Sequence, residues 1–301
     1  MGAITLDNVT KSYGDVTALR NVSLSVDKGE IFGLLGPNGS GKTTMIKCIT
    51  QLANMDSGTI TVSGIDITNS PHEARKRIGL SPQEPKADRY FGVQRLLEYQ
   101  AGYYGIPLSK ARPRVKSLLD TFGLQDKADA KAEELSGGMM RKLSVLKGLL
   151  HEPDILILDE PTAALDVDAR HELWKHVREV NNAGTTIFLT THYIEEAEEM
   201  CERICVLRDG EILELEEKEK VMQELSQNQI RFSFSTLPQL PDDLPPHRKE
   251  GSDLIFTVSE KEQGTVLQNI MERFDEESIT YENFTVKQDS LENIFRRLVN
   301  E

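Results

Sequence analysis

"IFGLLGPNGSGKTTMIKCITQL", residues 31–52, passes through three kinds of structure in one stretch. IFGLL is a short continuous apolar run, as expected of a strand buried on both faces. GPNGSGK is too rich in glycine for the interior of a helix or strand. From Thr43 onward the apolar residues recur at helical spacing. The loop fits G-x-x-x-x-G-K-[ST] from Gly36 to Thr43, between a buried strand and a helix. In that context glycines let successive backbone N–H groups turn inward on a phosphate, and the helix N-terminus adds partial positive charge. Gly36, Pro37, Asn38, Gly39, Ser40 and Gly41 are therefore candidate phosphate-cradle residues. Lys42 is placed to reach the β- and γ-phosphates, Thr43 to ligate Mg²⁺, and Thr44 to bond a neighbouring phosphate oxygen.

Two more buried runs, DILILDE (154–160) and TTIFLTTH (185–192), flank the helical pattern ARHELWKHVREVNNAG. Residues 1–30 alternate apolar and polar, and TITVSGIDI reads as a further strand pair. Between about 83 and 150 the pattern is helical, and ICVLRDGEILEL reads as a hairpin turning at Asp209-Gly210. The expected fold class is α/β: a parallel sheet with an antiparallel β part and a helical insert over 1–222. The charged run ELEEKEKVMQEL (214–225) reads as a solvated helix face. Near 223 the chain turns polar and proline-rich; SQNQIRFSFSTLPQLPDDLPPHRKEGSD (226–253) reads as a boundary with long loops, and 223–301 is expected to form a small C-terminal α+β domain. Its last helix puts Leu291, Ile294, Phe295, Leu298 and Val299 on one face, with Asp289 as N-cap and Glu292 closing a capping box.

Composition excludes several function classes. Acidic residues outnumber basic ones 49 to 35, a net charge of −14, which disfavours broad electrostatic binding to nucleic acid or an anionic membrane. The three cysteines, Cys48, Cys201 and Cys205, match no disulfide or zinc spacing and read as small buried hydrophobes in a reducing compartment. The N-terminus has no signal-peptide pattern, and no apolar run approaches the ~20 residues of a membrane helix. A soluble, cytosolic chain is expected.

Asp159, ending a buried strand, is placed to hold Mg²⁺, and Glu160 beside it to polarise an attacking water. His192 ends the next buried strand at the same carboxyl edge, where open α/β sheets bind ligands, and is expected to contact the γ-phosphate. LSGGM (135–139) adds a second anion site: Ser136 as N-cap, then Gly137 and Gly138 before an amphipathic helix. This second site has no lysine and no metal ligand of its own. It is useful only when closed on a nucleotide held elsewhere.

With these motifs in order, the chain resembles the ATP-binding-cassette family over essentially all of 1–222. The order is KSYG with Tyr13, the P-loop, SPQEP with Gln83, LSGGM, LILDEP, AALD with Asp166, and TTH with His192. The resemblance implies a P-loop NTPase cassette with a RecA-like core. It implies ATP and Mg²⁺ as ligands, Tyr13 stacked on adenine, and Gln83 approaching the metal while sensing a membrane partner. It also implies a head-to-tail pair of cassettes, a homodimer by expectation, in which Ser136, Gly137 and Gly138 cover the ATP held by the partner's P-loop. Asp166 would lie at the dimer interface, and serves equally as an N-cap for the following helix. A separate membrane permease is implied, with the cassette on the cytoplasmic face of the membrane.

The tail ending in SLENIFRRL resembles cassettes that serve drug- and antibiotic-efflux exporters. A translation-associated cassette protein would carry two P-loops, and GKT occurs once; a chromosome-type ATPase would need long heptads. A regulatory module that binds ATP without hydrolysing it is disfavoured by the intact Glu160. The family's usual signature ends in Gln where Met139 stands. Gln at that position would close a capping box; here Leu135 and Met140 occupy hydrophobic-staple positions instead.

Overall fold

The computed structural model describes residues 2–85, 88, 90–241 and 243–300. Lys86, Ala87 and Arg89, inside the expected helical insert, lie outside the described residues. The chain divides into two compact units, Met1–Leu215 and Glu216–Glu301.

The first unit begins with β1 (Ile4–Tyr13) and β2 (Val16–Val26), followed by β3 (Ile31–Leu35), the glycine loop and α1 (Lys42–Ile49). β4 (Ser57–Val62), β5 (Ile65–Asp66), α2 (Pro71–Lys76) and β6 (Ile78–Ser81) come next. The helical insert supplies α3 (Val93–Tyr103), α4 (Leu108–Thr121) and α5 (Gly137–Leu149). β7 (Ile155–Asp159), α6 (Val167–Asn182), β8 (Thr186–Thr191), α7 (Ile194–Met200), β9 (Arg203–Arg208) and β10 (Glu211–Glu217) complete the α/β pattern.

Two sheets result. The antiparallel one runs β2-β1-β4-β5; its alternating strands bury Ile4, Leu6, Val22 and Leu24 on one face. The other runs β10-β9-β3-β8-β7-β6, with β9, β3, β8, β7 and β6 parallel. Every residue of β3, β7 and β8 is buried, which explains their apolar runs; Asp159, Thr186, Thr190 and Thr191 sit only at strand ends. Register places the functional ends: Leu35 faces Thr191, and Asp159 faces Thr190. Ser81, at the end of β6, faces Leu158. The Asp209-Gly210 turn has both residues at positive φ, 50° and 82°, as a two-residue hairpin requires.

Helix α5 approaches β6 backbone to backbone. A Cβ on Gly79 would stand 2.3 Å from the Gly148 carbonyl oxygen, and one on Gly148 would stand 3.3 Å from the Leu80 nitrogen. Gly79 must be glycine for this seat, and Gly148 leaves little room for anything larger.

The second unit contains α8 (Lys218–Leu225), β11 (Asn228–Ser233), β12 (His247–Glu250), β13 (Asp253–Val258), α9 (Gln263–Glu276), β14 (Asn283–Lys287) and α10 (Leu291–Asn300). Its antiparallel sheet runs β12-β13-β11-β14. Three expectations are corrected here. The run ELEEKEKVMQEL is not all helix: β10 extends to Glu217 before α8 starts, and Val221 is buried. The proline-rich stretch contains β11, an inner strand whose IRFSF alternation buries Ile230, Phe232 and Phe234. The cap of α10 is Ser290, whose Oγ accepts from the Asn293 N–H at 3.3 Å. Asp289 is drawn elsewhere, to the Gln227 N–H at 2.9 Å and the Arg297 guanidinium at 2.7 Å. Glu292 pairs with Arg296 at 2.7 Å. A nearly buried carboxylate gains more from a guanidinium and a backbone donor than from one cap bond.

Phe232 is the centre of this unit's core, with ring centroids 5.0 Å from Phe274, 5.1 Å from Tyr281 and 5.8 Å from Phe284. Phe232→Ala is expected to destabilise the second unit by about 3–5 kcal/mol. Urea unfolding followed by the tyrosine signal of this unit measures it; a loss under about 1 kcal/mol would contradict this core assignment.

Candidate functional site

The carboxyl edge of the parallel sheet gathers most of the residues singled out in the sequence. Gly36 leaves β3 at a point where a Cβ would meet the Leu207 carbonyl and the Ser40 hydroxyl, each at 2.4 Å. Gly39 and Gly41 have φ of 86° and 112°, and a Cβ on Gly41 would lie 2.5 Å from the Ala18 carbonyl. The loop therefore needs its glycines, and β2 presses on its base. Tyr13, at the turn end of the β1–β2 hairpin, is 47% exposed, with the Lys11 ammonium 5.2 Å from its ring centre. An exposed ring of this kind is free to stack on a base.

Lys42 is 5% exposed, and its Nζ donates to the carbonyls of Gly36 at 2.7 Å and Pro37 at 3.0 Å. Burial pushes its pKa down; Glu160 and Asp159 pull it back up. Asp159 is nearly buried, and its Oδ1 accepts the Thr190 hydroxyl at 2.6 Å. Burial raises its pKa, as does Glu160, while the Thr190 hydroxyl, Lys42 and a hydrogen bond from Thr43 act the other way.

Glu160 follows with φ at +46°, a left-handed conformation that costs a non-glycine residue of order 1 kcal/mol or more. Its N–H is held by both the carbonyl (3.0 Å) and the hydroxyl (3.1 Å) of Thr190. Its Oε2 accepts from Gln83 Nε2 at 3.0 Å and lies 3.2 Å from His192 Nδ1. Thus Lys42, Thr43, Gln83, Asp159, Glu160 and His192 form one constellation.

Ser136, Gly137 and Gly138 stand apart, at the N-terminus of α5. Ser136 is exposed, and its Oγ accepts from the Met139 N–H at 3.3 Å. A Cβ on Gly137 would meet nothing within 4 Å, and one on Gly138 would face Ala169 at 3.5 Å. Asp166 caps α6 through the Ala169 N–H at 2.8 Å.

Sequence reasoning passed over Thr190, which clamps Asp159 and the Glu160 backbone together. It also passed over Arg141, 5% exposed on α5, which donates to the Pro82 carbonyl at 2.9 Å beside Gln83. Two consecutive fully buried threonines at the end of a strand with an apolar centre were the available signal.

A triphosphate fits this cradle. The Ser40 hydroxyl is buried with no hydrogen-bond partner among the described residues, and Lys42 rests on backbone carbonyls that a phosphate would replace. For a metal, Asp159 and Thr43 supply hard oxygen donors. Among the described residues no group of three or more His, Cys, Asp and Glu could hold an ion by itself. That suits Mg²⁺, which is ordinarily held by one or two carboxylates plus substrate phosphates.

The family model for ABC transporters matches residues 19–163. The Nod factor export ATP-binding protein I of Ralstonia nicotianae is 34% identical over 298 residues, covering 98% of this chain and 93% of that protein. This chain belongs to the ABC transporter family. It is an ATP-binding, ATP-hydrolysing cassette subunit. The cassette is also 45% identical over 207 residues to the protein of the same name from Burkholderia orbicola, covering 69% and 68% of the two chains. Among solved structures, the dimeric post-hydrolysis state of the cassette MJ0796 bound to ADP and Pi matches with TM-score 0.66 and 28% identity, covering 71% of this chain and 98% of that one. Cassette subunits of the family dimerise and work with membrane subunits. In this cassette no helix of the described residues is long and apolar enough to cross a membrane.

The buried carboxyl of Asp159 sets a stability cost with a definite sign. A raised folded-state pKa means stability is greatest below the ordinary carboxylate value, 3.8, and is lost as pH rises through the folded value. Asp159→Asn, which keeps an acceptor for Thr190, should therefore stabilise the nucleotide-free chain at pH 7 by about 1 kcal/mol, a few degrees in Tm. Below pH 4 the gain should vanish. Differential scanning calorimetry at both pH values checks it; a destabilised variant at pH 7 contradicts the assigned electrostatics.

Proposed function

We propose that this cassette powers an exporter by closing head to tail on a second copy of itself with two ATP molecules between them. Hydrolysis rests on one observation above the others: Gln83 and His192 converge on one oxygen of Glu160 beside Asp159 and Lys42. Tyr13 stacks on adenine. The N–H groups of the Gly36–Gly41 loop, with Lys42 and Thr44, hold the phosphates. Thr43, Asp159 and Gln83 are the residues that would hold Mg²⁺, which when bound neutralises charge on the phosphate oxygens. Glu160 takes the proton of the attacking water, and His192 contacts the γ-phosphate.

Ser136, Gly137 and Gly138 serve the ATP of the other copy. What supports this is their exposure at a helix N-terminus that has backbone donors but neither lysine nor carboxylate among Ser136–Met139. Asp166 and the α6 cap beside Gly138 belong to the same interface. The export direction is supported by the Ralstonia relative, whose likeness extends over 98% of this chain and so includes the second unit. The cassette then sits on the cytoplasmic face of the cell membrane, held by a separate permease subunit. Residues 1–222 form the cassette, and 223–301 an accessory domain.

Glu160→Gln is expected to cut ATP turnover by a factor of about 100 or more and to trap an ATP-bound dimer. Size-exclusion chromatography with light scattering at saturating Mg-ATP reads the second effect. A variant that stays monomeric there overturns the sandwich.

Because the Ser136 cap uses the backbone N–H of residue 139, it survives any side chain at that position. Met139→Gln should change steady-state ATPase by less than about tenfold, under 1.4 kcal/mol in barrier. A larger change in either direction would give Met139 a direct part in the shared site.

A further inference from the structure

Glu196, on α7, is 2% exposed, and the reaction as described has no use for it. One of its oxygens accepts the hydroxyl of Thr162, two residues after Glu160. The other accepts the hydroxyl of Thr191 at 2.7 Å, the residue immediately before His192. That same Thr191 oxygen accepts the Tyr193 N–H at 2.9 Å, on the far side of His192.

A second route leads to the same histidine. Arg170 of α6 lies with its Nε 3.7 Å from the Glu196 carboxylate and its guanidinium 5.2 Å from the centre of the Tyr193 ring. The Tyr193 ring in turn rests against His192, centroid to centroid 4.1 Å. An apolar residue would fill this helix position without the desolvation penalty of a carboxylate. The two loops that meet at Glu196 are those whose side chains meet at Glu160 and His192.

We infer that Glu196 is a positioning residue for ATP hydrolysis: its two carboxylate oxygens fix the loop after Glu160 to the loop carrying His192, and so set the 3.2 Å approach of those two side chains. The inference rests on the assignment of Glu160 and His192 to hydrolysis. Nucleotide binding, carried by the loop after β3, does not depend on it. Orientation alone moves rates strongly, because a catalytic group displaced by about 1 Å can lose about a hundredfold.

The test is steady-state ATPase of the purified full chain, with binding of a fluorescent ATP analogue and thermal melting measured on the same samples. Glu196→Leu fills the space and removes both acceptors. It should lower kcat at least tenfold, leave the ATP KM and analogue Kd within threefold, and keep a melting temperature close to wild type. Glu196→Gln can still link both hydroxyls and should retain at least a third of kcat. Thr162→Val and Thr191→Val preserve shape and should each lower kcat; combined with Glu196→Leu they should add little, since partners in one network are not additive.

Wild-type kcat in Glu196→Leu, equal loss in the Gln and Leu variants, or a fall in kcat that tracks lost binding or melting temperature overturns the inference. If Glu196→Leu does not fold, the two threonine variants decide alone, and wild-type kcat in both overturns it. Glu160→Gln is assayed alongside. Were it active, the assignment beneath would fail; were it inactive while Glu196→Leu is active, only the role of Glu196 would fail.

Discussion

The parallel register of β3, β8 and β7 is the constraint on which the site depends. Leu35 opposite Thr191 and Asp159 opposite Thr190 align three strand ends, so the glycine loop, His192 and the Asp159-Glu160 pair leave the sheet side by side. Slipping one strand by a residue would turn every buried side chain of that strand to its other face. All three strands are buried on both faces, so the cost of a slip falls on the whole core. The catalytic geometry thus inherits its precision from hydrophobic packing several residues away.

Against that apolar frame the site concentrates charge. Lys42, Arg141, Asp159, Glu160 and Glu196 are all less than 9% exposed. Burial shifts Lys42 and Arg141 toward the neutral base, and Asp159 and Glu196 toward the neutral acid. The charges of Asp159 and Glu160 oppose the shift of Lys42 and Arg141, and threonine hydroxyls hold Asp159 and Glu196. A site in this condition favours a ligand that brings both negative charge and a cation. Stability surrendered in the empty chain becomes binding free energy when the site fills.

The phosphate loop and the signature stood out as short glycine patterns with a strict backbone requirement, and the acidic pair and His192 because each ends a buried run; Gln83 came only with the family resemblance. The strand runs were equally legible, since burial on both faces leaves polar residues only at the strand ends. Thr190, Thr191 and Glu196 were not. Threonine suits any strand, and Glu196 sits in IEEAEE, where acidic residues look like a solvated face; only the fold reveals that this one points inward. β11 was hidden by composition, because its IRFSF alternation is embedded among prolines and polar residues. The α10 cap was misplaced by one residue because Asp289 and Ser290 are both good caps, and a distant arginine, Arg297, decides between them.

The glycine contact between Gly148 and Gly79 has a mechanical side. It seats α5 near its C-terminal end, while Ser136 stands at the opposite end, about 18 Å away at 1.5 Å per residue. The helix is therefore a lever with a fulcrum made of backbone, where no side chain can flex. A turn of about 10° at that fulcrum carries Ser136 through about 3 Å, the length of a hydrogen bond. The fulcrum lies on β6, four residues ahead of Gln83. The loop after β6 holds α5 through Arg141, between the fulcrum and the signature, so a push on that loop is applied to the arm that ends at Ser136.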